Sequence, residues 1–83
     1  MKKEKLLQKI LNNPQNVRFN AMVTLVEAFG FQQSRVKGSH HIFVHPQIQE
    51  LVNIQNVNGQ AKPYQVRQFL KLVEKYNLEL RIE

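Results

Sequence analysis

The sequence contains no cysteine and no aspartate. Without cysteine there is no disulfide framework and no thiolate zinc site. No apolar run approaches the roughly 20 residues of a membrane span, and the lysine-rich start lacks the apolar stretch of a signal peptide. The expectation is a cytoplasmic protein that does not touch the membrane. Eighty-three residues allow a single domain, 1–83, and a chain this short buries only a modest part of its surface.

Acidic groups are few as well as uniform in type. Six glutamates face twelve lysines and arginines, a formal net charge of +6. Between Ala28 and Val73 the one acid is Glu50, whereas Arg35, Lys37, Lys62, Arg67 and Lys71 fall in the same window. A basic middle without internal neutralisation favours a polyanionic partner. The same scarcity excludes paired-carboxylate catalysis and two-metal phosphoryl chemistry, because hard cations need clustered carboxylate oxygens. With three glycines in the chain, no phosphate-binding glycine motif is present, and no small-molecule cofactor is expected.

All three histidines lie together in Lys37-Gly38-Ser39-His40-His41-Ile42-Phe43-Val44-His45-Pro46. His41 and His45 share pleat parity, but a zinc site lacks a third ligand there, so no metal is expected. Ser39 and His40 are sequence neighbours whose side chains diverge in a strand, which argues against a serine nucleophile. Metal-free acid–base work on a phosphodiester remains. Histidine titrates near neutrality and can take the 2′-hydroxyl proton of RNA or protonate the leaving oxygen. Lys37 and exposed backbone N–H groups at the glycine turn can hold the phosphate. On residues alone, histidines that fill structural hydrogen bonds are the competing account.

The hydrophobic pattern predicts the frame. Lys2 to Asn12 is an amphipathic helix with Leu6, Leu7, Ile10 and Leu11 on one face, stopped by Asn12-Asn13-Pro14. Val17-Arg18-Phe19 links it to a second helix, Ala21 to Phe29, with Asn20 as N-cap and Gly30 as the left-handed C′ residue. Strands follow at Phe31 to Val36, His40 to His45 and Leu51 to Ile54. In the second strand His40, Ile42 and Val44 share one side, and His41, Phe43 and His45 the other. Both sides mix polar and apolar groups, so the helix-facing side is open at this stage. Gln55 to Ala61 reads as a polar loop turning at Asn58-Gly59. Pro63 opens a third helix with the stripe Val66, Phe69, Leu70, Val73 and Tyr76, and Asn77 ends it. Leu78 to Ile82 alternates like a short last strand. The order predicts an α+β fold, a three-stranded antiparallel sheet with helices on one face.

Gly38-Ser39-His40 followed by His45-Pro46 resembles the signature of HicA-type toxins, small mRNA interferases of toxin–antitoxin pairs. Val17-Arg18-Phe19, Glu27-Ala28-Phe29-Gly30-Phe31 and Lys62-Pro63-Tyr64-Gln65-Val66-Arg67-Gln68-Phe69-Leu70 extend the likeness over nearly the whole chain. It looks like the longer variant, an extension helix over 1–13 and a core over 17–83. The resemblance implies a double-stranded-RNA-binding-like α-β-β-β-α core, cleavage of mRNA, and a HicB-type antitoxin partner. The catalytic histidine of the family falls on His40. Shorter members differ in the loop between strand three and the last helix, where substrate contacts are least transferable.

Together these lead to a metal-independent endoribonuclease with His40 as general acid/base. Gly38 and Ser39 shape the phosphate pocket, and Lys37, Lys62 and Arg67 are candidates for RNA backbone contacts. His45 is either a second RNA-facing proton carrier or a structural residue beside Pro46. Two rivals are a non-catalytic RNA-binding module with the same fold and a silent copy that only binds antitoxin.

Overall fold

A computed structural model describes residues 3–81 of the chain. The elements are α1 (Lys3–Asn12), α2 (Phe19–Ala28), β1 (Gln32–Lys37), β2 (His40–His45), β3 (Ile48–Val57), β4 (Gln60–Ala61) and α3 (Pro63–Lys75). The strands form one antiparallel sheet in the order β1-β2-β3-β4. This is the α+β architecture the pattern predicts, with the extra N-terminal helix present and a fourth, two-residue strand added.

Apolar burial sets the layers. Met22, Leu25 and Val26 of α2, Val66 and Phe69 of α3, and Phe43, Val52 and Ile54 of the sheet join one core. The ring of Phe69 meets Phe29 and Phe31 edge-on at 5.7 and 5.6 Å, the offset that aromatic quadrupoles favour. Phe43 and Ile54 are completely buried, so the β2 side bearing His41, Phe43 and His45 faces the helices. The side bearing His40, Ile42 and Val44 is left without a helical cover.

Helix ends follow their local chemistry. Gly30 (φ +96°) and Asn77 (φ +51°) are the left-handed residues after α2 and α3. At each end two backbone bonds close the last turn, Gly30 N–H to Glu27 and Phe31 N–H to Val26, then Asn77 N–H to Glu74 and Leu78 N–H to Val73. The start of α2 differs from expectation. Arg18, not Asn20, holds the N-cap position, with no side-chain cap. The hairpin does the capping instead, since Phe19 N–H donates to the Gly59 carbonyl at 2.9 Å. In α1, Leu6 and Ile10 are buried as predicted, but Leu11 is 47% exposed and lies off the packed stripe.

Two other expectations are corrected. The polar run after Ile54 is not a loop: β3 continues to Val57 and turns at Asn58 (φ +53°) and Gly59 (φ +85°) into β4. Two positive φ angles are the signature of the type I′ hairpin turn, and Asn56 Oδ1 accepts the Gly59 N–H at 2.8 Å. A strand with both faces polar has no hydrophobic alternation to betray it. Nor do Leu78 to Arg81 form a strand; Arg81 N–H donates to Ala28 O, and its carbonyl accepts from Lys3 Nζ, both at 2.8 Å. Ile82 lies outside the described residues.

Beyond β4 the outer edge of β3 faces α3, and a side chain closes it. The buried Gln65 Oε1 accepts the Gln55 N–H at 2.6 Å. Gln65→Ala leaves that donor without its partner, and the expected loss is about 1–3 kcal/mol in urea unfolding with an unchanged slope. A loss of less than about 0.5 kcal/mol would mean that solvent substitutes for the bond.

Candidate active site

The site is built on the tight turn between β1 and β2. Lys37 pairs with His40 across it, leaving a two-residue loop of Gly38 and Ser39. Gly38 has φ +61°, and a Cβ there would meet nothing within 4 Å. Glycine is needed for the backbone angle rather than for space, as the first position of a type II′ turn requires. The turn is tied to β3 twice: Ser39 O accepts Asn56 N–H at 2.9 Å, and Ser39 Oγ accepts Gln55 Nε2 at 3.1 Å.

The three histidines part company at this strand. His40 pairs with Gln55, half-buried on the uncovered face, and its Nδ1 lies 3.2 Å from Asn53 Oδ1. His41 points the other way, with its ring centroid 4.5 Å from Phe19 and Nδ1 3.0 Å from Gln33 Oε1. His45 shares that inner face at 7% exposure. It packs on Phe31 at 4.9 Å, and its Nδ1 accepts the Gln47 N–H at 3.1 Å. Burial and the occupied nitrogen place His45 in the inner layer, apart from His40.

The cations divide in the same way. Lys37 is exposed beside His40. Lys62 holds the N-cap position of α3, and Gln65 three residues on reaches the backbone of Gln55, the cross-strand neighbour of His40. Arg67 is exposed but stands about 200° around the helix from Gln65, turned away from this edge. The structure therefore gathers Lys37, Gly38, Ser39 and His40, with Lys62 at the adjoining helix start, and leaves His45 and Arg67 outside.

The one acid of the basic middle is already paired. Glu50 is engaged by Lys75 at 3.2 Å. Its carboxyl is held below the usual carboxylate range by the Tyr76 hydroxyl and then by Lys75, and the pairing raises Lys75 in turn. Both groups are exposed, so the pair adds little stability, but it leaves Glu50 spent. A groove of about 270 Å³ runs between β3 and α3, lined by Asn53, Gln65, Gln68 and Lys71 among others. Asn53 thus contacts both the groove and His40. Among the described residues, no three metal-ligating side chains converge, and no helix is long and apolar enough to cross a membrane.

Asn53, Gln55 and Gln65 escape a reading by residue type. One signal for Asn53 was available: a polar residue between Val52 and Ile54 in a strand faces away from the core. Its partnership with His40 needs the β2–β3 register, which periodicity does not supply.

No curated protein and no solved structure matched this chain. A sequence model of a family, described as the HicA toxin of bacterial toxin–antitoxin, matches residues 19–74. The match begins at α2 and takes in β1 to β4 and nearly all of α3, and it contains Gly38, Ser39 and His40. It covers more than half of the chain, and the chain belongs to the HicA toxin family.

Proposed function

We propose that the protein is an endoribonuclease toxin that cuts mRNA without a metal ion, with His40 as its general acid/base. HicA toxins are in general ribonucleases, and this supports the substrate class. The observation that carries the residue assignment is that His40 is the one histidine on the uncovered sheet face. It stands there beside Lys37 and a glycine turn, with Glu50 already paired. RNA brings its own nucleophile. His40 takes the 2′-hydroxyl proton as the 2′-oxygen bonds to phosphorus. The bond from phosphorus to the 5′-oxygen breaks, and that oxygen accepts the proton back, leaving a 2′,3′-cyclic phosphate and a 5′-hydroxyl. Lys37 and Lys62 offset the charge on the phosphoryl oxygens, and the Gly38-Ser39 turn presents backbone N–H groups to them.

Positioned acid–base groups contribute about 10²–10⁴-fold to rate. His40→Ala should lower cleavage by that factor and relieve growth arrest in cells, while circular dichroism and the melting curve stay as in the native chain. A folded variant with undiminished toxicity would point to a non-catalytic RNA binder.

Cleavage should persist in excess EDTA. It should fail on a substrate with a 2′-deoxy sugar at the cut, because that nucleotide lacks the nucleophile. Activity lost to chelator and restored by a divalent cation overturns the metal-free mechanism.

The restraining partner in this reading is a HicB-type antitoxin that covers the His40 face and sets acidic groups against Lys37, Lys62 and Lys71. Opposite charges steer association, so its rate should fall steeply as salt rises, with dissociation changing less. Stopped-flow mixing at several salt concentrations measures both. A complex that still cleaves RNA would assign the partner another task.

A further inference from the structure

We propose that Asn53 is the positioning residue of the site. It holds the His40 ring with the proton on Nδ1, so that Nε2 meets the substrate as the free base. The inference rests on the reading of His40 as general acid/base, and its own evidence is the hydrogen bond. The oxygen of an amide only accepts, and His40 Nδ1 lies 3.2 Å from Asn53 Oδ1, so the tautomer that makes this bond is the one with the hydrogen on Nδ1. In the neutral ring the remaining lone pair is then on Nε2. An imidazole without such a partner exchanges between both forms and rotates about its side-chain bonds.

Three features make Asn53 suited to this. It lies diagonally across from His40, its direct partner being Ile42, and reaches the ring from the same uncovered face. Its neighbours Val52 and Ile54 are buried at 5% and 0% exposure, so the backbone that carries it is anchored in the core. Asparagine is also poorly suited to a strand interior, where β-branched residues pack better, so backbone propensity does not account for Asn53. When His40 takes a proton on Nε2, Nδ1–H still faces the amide oxygen, whose dipole stabilises the imidazolium. The same bond thus orients the ring before the transfer and supports its charge afterwards.

The neighbouring histidines are built-in controls. His41 Nδ1 faces Gln33 Oε1, which demands the same tautomer as His40. His45 Nδ1 accepts a backbone N–H from Gln47, which demands the opposite one. A long-range ¹H–¹⁵N spectrum of the labelled full chain, recorded where the rings are neutral, should show Nδ1–H for His40 and His41 and Nε2–H for His45. In Asn53→Ala the His40 signals should move to a mixture of tautomers while the other two stay. The variant's kcat should fall about tenfold with KM unchanged, since an oriented group is lost and no phosphate contact is removed. Asn53→Asp keeps an acceptor oxygen and should restore both the tautomer and most of kcat. Nε2–H on His40 in the native chain, an unmoved His40 signal in Asn53→Ala, or a moved signal with undiminished kcat each overturns the proposal. If His40→Ala itself cleaves normally, the acid–base reading fails, and the spectra report that separately from the Asn53 bond.

Discussion

The complete burial of Phe43 is the constraint on which the site depends. A strand's side chains alternate strictly, so seating one residue in the core decides the side of every other. Phe43 inward carries His41 and His45 inward and sends His40, Ile42 and Val44 outward. A slip of one residue would bury His40 under the helices and expose His45. Pairings on both sides of β2 hold the register, Gln33 opposite Phe43 on β1 and Val52 opposite it on β3. The hydrophobic effect that stabilises the fold is thus also what sets one histidine of three on the uncovered face.

From that register a polar relay links the core to the turn. Gln65, buried on α3, accepts from the Gln55 backbone; the Gln55 side chain donates to Ser39; the Ser39 carbonyl accepts from Asn56. Each bond satisfies a group that the strand edge or the tight loop would otherwise leave open. The Gly38-Ser39 loop is held by β3 and α3 as well as by its own hairpin. These ties fix the geometry of a turn of two residues.

Charge follows the same geometry. The basic middle of the chain holds a single acid, and the fold joins it to Lys75 from α3, at a distance in sequence of 25 residues. What remains around His40 is cationic or neutral. Such a face attracts a polyanion and equally an acidic protein. Arg67 and His45 are turned away from this face.

Local chemistry made much of this molecule legible from its residues. The left-handed Gly30 and Asn77, Pro63 at the first turn of α3, the Gly38-Ser39 turn and the bounds of β2 all follow from short-range sterics and hydrogen bonding, which a sequence carries directly. So does the charge imbalance. The extension of β3 into a hairpin was hidden, because Gln55, Asn56 and Gln60 show no apolar alternation and the strand is justified by partners far along the chain. The start of α2 was misplaced for a like reason, its cap being the carbonyl of Gly59. Above all, the placement of the three histidines was not in their order. His40, His41 and His45 sit in one six-residue strand, and their surroundings separate only when Phe43 is buried, because packing decides which pleat faces inward. Asn53 joins His40 only because β2 and β3 pair in one register, and pairing is a property of the folded chain.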